Sequence, residues 1–399
     1  MPRAVVVLPS TTYRAADFVR AAESLGIELV VASEQPPPFD MGDRYLQIDC
    51  SDPEAAAEAV ARLGDSIPLD GVLAADDGGV VIAALAGSKL GLLSNHPDAA
   101  AATRDKARLR DLLRRAEVPQ PRYAVVENDA DVARQAGEVG FPLVVKPTTR
   151  SASQGVVRAD DLTQLKAAVA RVRRIVGRQE TLLLEEYMPG HEVAVEGLAV
   201  DGELTVLAIF DKPDTSQGPA FPETIMVTPS RLSEETQDEI RRVASHSVRG
   251  SGLTHGPVHV ELKVDAGQVR IIELAARSIG GLCSRSLSFG LMDTSLETLI
   301  LRNAIGADKP GLRRERQANG VLMIPIPKSG VLNAVTGVDE VREIEGITGV
   351  DITIQAGTTV MAPPDGDRYL GFVFARTNTP EEAESVLRQA MSSIEVLVT

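Results

Sequence analysis

The stretch PVHVELKVDAGQVRIIELAARSIGG, residues 257–281, decides how the rest of the chain is read. Over 258–264, Val258, Val260, Leu262 and Val264 alternate with His259, Glu261 and Lys263, the two-residue period of a strand with one buried face. A second strand is predicted from about 269 to 274. Between them Asp265-Ala266-Gly267 suits a three-residue loop with Gly267 in the left-handed position. An odd loop keeps the odd-numbered residues of both arms on one face, which makes Glu261 and Glu273 diagonal neighbours, roughly 7–8 Å apart at Cα. An even loop would separate them.

Two carboxylates so placed in a partly buried site repel, so that one takes up a proton or a cation sits between them. Magnesium is suited to that place, because it takes oxygen ligands and is usually held by one or two carboxylates together with substrate phosphates. Arg277 follows the second strand, ahead of Gly280-Gly281, and adds a fixed positive charge. An exposed hairpin with two solvated glutamates fits the same residues equally well, so the decision passes to the rest of the chain.

With 399 residues the chain exceeds one small core, and two or three domains are expected. A net charge of −15 opposes broad attraction to nucleic acid or an anionic membrane, so an anionic ligand would have to be met by local cations and backbone amides. Two cysteines, Cys50 and Cys283, imply neither a disulfide framework nor a cysteine zinc site. No run approaches the roughly 18 apolar residues of a membrane span, and the start MPRAVVVLPS lacks a signal-peptide layout. The chain reads as cytoplasmic.

The first hundred residues alternate apolar runs (4–8, 27–32, 71–75) with helical spacing (14–25, 80–86), a parallel α/β unit. Pro9-Ser10-Thr11 and Asp76-Asp77 fall at the ends of predicted strands, where such sheets take ligands, although helix caps and turns use the same residues. Lys146 ends the run Phe141-Pro-Leu-Val-Val-Lys-Pro147, and Thr148-Thr-Arg-Ser-Ala-Ser-Gln-Gly155 follows it. Small hydroxylated residues around a glycine can close on phosphate oxygens, and a plain polar hairpin loop has the same composition. The segment does not match GxxxxGK[ST], and no GxGxxG is present. Glu185-Glu186-Tyr187-Met188-Pro189-Gly190 reads as a strand running into a turn, open to an adenine edge, with Glu192 beyond it suited to ribose hydroxyls. Asp201-Gly202 marks a two-residue hairpin, and the glycine- and proline-rich 212–229 reads as a loop at the site's edge.

Together these stretches resemble the ATP-grasp superfamily. The resemblance is carried, in chain order, by Asn95, Arg104-Asp105-Lys106, Lys146-Pro147, residues 151–156, Glu185-Glu186-Tyr187 with Gly190 and Glu192, and Glu261 with Glu273, Arg277 and Gly280-Gly281. It implies a protein of mixed α/β and α+β class. A parallel α/β pre-ATP-grasp domain would occupy 1–100, an ATP-grasp domain 101–310 with a lid subdomain at about 120–195, and a C-terminal α+β cap 311–399. Thr254-His255-Gly256-Pro257 with His259, and Glu273-Leu-Ala-Ala-Arg277, bring the likeness nearest to carboxylate–amine ligases, the L-amino acid ligases in particular.

For single residues the resemblance implies that Lys106 and Lys146 reach the ATP phosphates and that Ser151, Ser153 and Gly155 belong to the lid over them. Glu185 and the backbone of Glu186, Tyr187 and Met188 would form the adenine hinge, and Glu192 would accept the ribose. Glu261 and Glu273 would hold magnesium, Arg277 would steady the reacting carboxylate, and Lys212 would act beside it, facing the phosphates. Ala275 stands where many members carry a metal-binding asparagine, which leaves one or two magnesium ions, with manganese as a substitute. The implied reaction joins two amino acids, or an amino acid and an amine, through an acyl phosphate, with ADP and phosphate released. A carboxylase- or purine-pathway-type ligase activating bicarbonate or formate is the alternative, and a non-catalytic ATP binder a third reading. The implied partners are small amino acids and amines, not nucleic acid or membrane, with a homodimer by resemblance.

Overall fold

The structure, a computed structural model, describes residues 1–399 apart from 11, 37–40, 215–216, 291–293 and 308–312. Thr11, Leu291 and the predicted start of the cap at 311 therefore lie outside the described residues. At the N-terminus β1 (Arg3–Val7), β2 (Glu28–Ser33), β3 (Tyr45–Gln47) and β4 (Gly71–Ala74) form a parallel sheet in the order β3-β2-β1-β4. Continuous apolar runs suit strands covered on both faces, and Ala4, Val5, Val6 and Val7 are fully buried here. After β4 a short helical turn, Asp77–Gly79, leads into helix Val80–Leu90, so Asp76 and Asp77 sit at the strand's carboxyl end.

The second sheet is antiparallel, with β5 (Tyr123–Val126), β6 (Leu143–Pro147), β7 (Val157–Ala159) and β8 (Leu182–Glu186) in the order β5-β8-β6-β7. It has its own core, in which Val145, Leu182 and Leu184 meet Leu165, Val169 and Val172 of helix Leu162–Val176. Asp161 begins that helix by accepting the Gln164 N–H, one of the donors a helix start leaves unpaired. This sheet ends at Glu186, and the next strand already belongs to the large sheet.

The remaining strands are β9 (His191–Val200), β10 (Glu203–Lys212), β11 (Ile225–Thr228), β12 (Gly256–Asp265), β13 (Gln268–Ala275), the short ribbon β14 (Ser288–Phe289) and β15 (Thr294–Ser295), then β16 (Ala318–Ile324), β17 (Gly330–Thr336), β18 (Ile347–Ile352), β19 (Thr359–Val360), β20 (Gly371–Thr377) and β21 (Glu395–Val398). Eight of them make one sheet, β13-β12-β9-β10-β11-β16-β20-β18, while β19, β17 and β21 make a small one beside it. The pairing of β11 with β16, from Ile225 opposite Leu322 to Thr228 opposite Asn319, is the junction that matters. Through it the C-terminal part continues the central sheet, whereas the sequence suggests a cap packed upon it. Helix Pro380–Ser393 covers this end with Ala383, Leu387 and Ala390. Among the described residues no helix is long and apolar enough to cross a membrane.

The decisive hairpin forms, but not by the predicted loop. Asp265 pairs with Gln268, and the turn is the two residues Ala266 and Gly267, both left-handed at φ 46° and 79°. Such a turn matches the twist of the strands it joins. Left alone, that even loop would turn Glu261 and Glu273 to opposite faces. A bulge intervenes: Leu262 pairs with Ile271 but Glu261 with Glu273, so Ile272 is the extra residue. The two carboxylates are thus direct partners across the ladder and not diagonal ones.

Gly190 joins the lid sheet to β9 at φ 98°, and a Cβ there would lie 2.2 Å from the Val264 carbonyl oxygen. Both the strained backbone and the clash oppose any side chain. Gly190→Ala is expected to lower stability by roughly 2–4 kcal/mol in urea unfolding.

Candidate active site

The site is built on one face of the large sheet, because side chains two apart along a strand share a face. In register across β10, β9 and β12 stand Lys212, Glu192 and Lys263; one step on come Phe210, Ala194 and Glu261, with Glu273 beyond on β13; a further step brings Ala208, Glu196 and His259, with Ala275 beyond. Lys212 lies among three carboxylates, its Nζ 2.6 Å from Glu223 and 3.2 Å from Glu261, and it also pairs with Glu192. Glu192, Glu223 and Glu261 bring carboxylate oxygens within 4.8 Å of one another around it. Lys263 Nζ is 3.3 Å from Glu192.

Opposite this face stands the lid sheet. Lys146 Nζ lies 2.5 Å from Glu185, whose other oxygen accepts from Arg110 Nε at 2.6 Å, and all three side chains are almost wholly buried. Lys106 reaches Glu273 at 3.2 Å and donates to the Arg150 carbonyl at 2.6 Å. Ala152, Ser153 and Gly155 in the loop between β6 and β7 have φ of 52°, 57° and 73°. Such left-handed steps bend a chain into a concave turn and strain residues that carry a side chain.

Between the two sheets lies a cavity lined by Lys106, Lys146, Ser151, Ser153, Glu185, Glu186, Tyr187, Met188 and Glu192 from the predicted nucleotide set, together with Lys212, Glu261 and Glu273. Val144, Val156, Phe221, Ile225 and Ile272 give it apolar walls. The Tyr187 ring stacks near Phe221, centroids 6.4 Å apart, and the Arg158 guanidinium lies 4.0 Å from the Tyr187 ring centroid as a cation–π partner. Four details depart from the predicted roles. Gly155 does not line this cavity, and its N–H donates to the Pro364 carbonyl at 2.8 Å. The Glu185 carboxylate serves Lys146 and Arg110 instead of an adenine edge, and the Tyr187 N–H donates to the Pro142 carbonyl at 3.1 Å. Lys212 is committed to carboxylates, not held free toward phosphates.

A second cavity, of about 440 Å³, opens on the other side of Glu261 and Glu273 and shares Ser151, Ser153 and Glu223 with the first. Arg277 lines it, with Nε 3.1 Å from Asp77, which Arg104 also holds at 2.8 Å. Tyr369 donates to Glu223 at 3.2 Å, and Met226, Met323, Ile279 and Phe372 make the far wall apolar. The sequence reading named Arg104 and His259 only as carriers of the resemblance, without a role, and did not name Glu196 or Tyr369. His259 bonds buried Glu196 through Nδ1 and approaches Glu261 through Nε2 at 3.4 Å, while Glu196 also accepts the Ile279 N–H at 2.9 Å. The available signal was parity: His259 and Glu261 share a face, and Glu196 falls on the matching positions of its own strand. Asn95, meanwhile, bonds the backbone of Thr254 and His255 and joins the N-terminal unit to β12.

The charges stay ionised because they are paired. Burial raises the Glu185 carboxyl, but Arg110 and Lys146 outweigh it and hold it at about 2. Burial likewise opposes ionisation of Asp77, and Arg277, Arg104 and Lys106 bring it to about 2. Glu261 is also held at about 2, against its burial, by Lys212 and His259. Burial depresses His259, yet Glu196 and Glu261 lift it to about 9. Lys146 is lowered, by burial first, with Glu185 opposing and Arg110 adding repulsion.

The Glu185 carboxyl titrates lower in the folded than in the unfolded chain, so its contribution to stability is full above about pH 4.5 and is lost as pH falls toward 2. Glu185→Gln leaves two buried cations unpaired and should cost roughly 3–5 kcal/mol at pH 7. The deficit against the parent should shrink in urea unfolding at pH 3; a constant deficit would contradict the assigned ionisation.

Comparison with known proteins bears on this geometry. A family model described as the ATP-grasp domain matches residues 139–286, one described as the ATP-grasp N-terminal domain matches 19–92, and one described as L-amino acid ligase C-terminal domain 2 matches 322–399. Alanine–anticapsin ligase of Bacillus subtilis is 28% identical over 249 residues, 57% of this chain and 52% of that protein. Carnosine synthase 1 of Mus musculus is 26% identical over 329 residues, 76% of this chain and 39% of that protein. The chain thus spans about half the length of the first and less of the second. The crystal structure of L-amino acid ligase from Bacillus licheniformis superposes with a TM-score of 0.85 at 25% identity, over 100% of this chain and 99% of that one.

Proposed function

Since the chain belongs to the ATP-grasp superfamily, we propose that it is an ATP-dependent carboxylate–amine ligase that joins two amino acids, or an amino acid and an amine. The observation that carries the reading is the meeting of two cavities at Glu261 and Glu273, with Lys106 and Lys146 on the first side and Arg277 on the other. That layout suits transfer of a phosphoryl group to a carboxylate, which needs positioning and charge neutralisation more than covalent chemistry.

Glu261 and Glu273 suit magnesium on the structure's own terms: they are hard oxygen donors paired directly across two strands, already facing the cationic groups Lys212 and Lys106. Magnesium bound there would neutralise phosphate charge. Every other part of the chemistry falls to the chain. Lys106 and Lys146 bind the phosphates, and the apolar walls with Met188 hold the base. Glu192 accepts ribose hydroxyls once Lys212 and Lys263 share its charge. Arg277, kept in place by Asp77, orients the substrate carboxylate so that one of its oxygens attacks the γ-phosphorus and ADP leaves. An amine then attacks the acyl carbon and phosphate departs. The loop at 151–155 excludes water, to which an acyl phosphate is prone. His259, held by Glu196, fixes Glu261. The apolar wall of the second cavity favours at least one substrate with an apolar side chain.

The test is phosphate release from ATP and magnesium across pairs of L-amino acids, with bicarbonate and formate wells alongside. Release that requires two amino acids, with a dipeptide mass in the same well, is expected. Release with bicarbonate or formate alone would replace this reading by a carboxylase- or purine-type one, and ATP binding without any turnover would leave a nucleotide binder. Glu273→Ala and Arg277→Ala should each lower ADP formation at least about a hundredfold with an unchanged circular dichroism spectrum; near-parental turnover in either contradicts the assigned roles.

A further inference from the structure

Among the described residues, the lid is fastened to the C-terminal part of the chain at residues 364–365. Gly155 N–H donates to the Pro364 carbonyl at 2.8 Å, and Gln154 Nε2 donates to the Asp365 carbonyl at 3.0 Å. Arg171, on the lid helix Leu162–Val176, holds the Asp365 carboxylate with both Nε and Nη2, at 3.0 and 3.3 Å. Two backbone carbonyls and one carboxylate on adjacent residues thus take hold of both the loop at 151–155 and the helix behind it.

The same segment runs on into the second cavity. Asp367, Arg368 and Tyr369 line it, Tyr369 donates to Glu223 at 3.2 Å, and Arg368 Nε donates to Tyr13 Oη at 3.3 Å. Only Gly366 separates the fastening from this wall, and β20 begins at Gly371. One short stretch of backbone therefore joins the wall to the fastening.

We propose that Asp365 is a positioning residue: through Arg171 and its own carbonyl it holds the 151–155 loop over the nucleotide, and the 361–370 segment links filling of the second cavity to that closure. The loop needs such support, since Ala152 and Ser153 are left-handed and a conformation of this kind persists only where surroundings enforce it. The strength is suited to a reversible fastening. Arg171 and Asp365 are 43% and 32% exposed, and ion pairs so placed are weak enough to open for nucleotide exchange. The link to the second cavity rests on the ligase reading; the hold on the loop does not.

The experiment compares the parent with Asp365→Asn, Arg171→Asp and the exchanged pair Arg171→Asp with Asp365→Arg. Three quantities are read: affinity for a non-hydrolysable ATP analogue with magnesium, amide hydrogen exchange over 151–156 with that analogue bound, and phosphate released per amide bond formed. Each single variant should bind the analogue roughly two- to tenfold more weakly and lose protection over 151–156. Each should also release more phosphate per bond, as water reaches the acyl phosphate. The exchanged pair should recover protection and affinity. A lowered melting temperature with protection, affinity and stoichiometry unchanged would assign Asp365 a structural role alone and overturn the proposal, as would an exchanged pair no better than the single variants. If no substrate pair supports turnover the ligase reading fails, while affinity and exchange still decide whether Asp365 holds the loop.

Discussion

Two partly buried carboxylates forced into register against each other are the constraint from which the site takes its shape. Glu261 and Glu273 face one another because a single extra residue, Ile272, offsets an even-numbered turn. That placement is unfavourable without positive charge close by. The chain answers from three directions: Lys106 from the helix preceding the lid, Lys212 from the neighbouring strand, and His259 from the same face of the same strand. Lys212 and His259 are in turn held by other acids, so Glu192, Glu196 and Glu223 enter the site as partners of partners. The result is a charged network that stays ionised while sheltered from solvent.

Against a net charge of −15, the basic groups of the cleft are the local positive charges that a bound anion would meet. The surface as a whole repels an anion, and in the cleft Lys106, Lys146, Lys212 and Arg277 stand among the carboxylates that hold them in place. Lys146 shows the cost of such a cluster, since burial beside Arg110 lowers it and Glu185 is required beneath to keep the group charged.

Much of this was legible in the sequence where local rules govern. Alternation over 258–264 revealed the hairpin and placed His259, Glu261 and Lys263 on one face, and Asp201-Gly202 marked the turn between β9 and β10, where both residues are left-handed. The loop at 265–267 misled because Asp265 carries turn chemistry yet pairs with Gln268; the bulge that restores the register depends on how β13 packs, which no pattern in the hairpin encodes. Side-chain commitments were also hidden. Nothing about Gly155 in sequence indicates that its N–H turns to Pro364, or that Glu185 faces down to Arg110, because both partners lie far off along the chain. Continuity of the sheet through β11 and β16 was invisible for the same reason: strand pairing across about a hundred residues is a tertiary choice.

That continuity bears on how the protein can be divided. β11 has only four residues, yet it is the sole described bridge within the large sheet between β10 and β16, pairing with the former through Asp211 and Val227. Shortened chains ending before β16 would leave the hydrogen-bonding edge of β11 bare, along with Ile225 and Val227, which are buried at 1% and 0% exposure. A bare apolar edge of this kind invites strand-to-strand association between molecules. The C-terminal part thus covers this edge as well as forming a wall of the cleft.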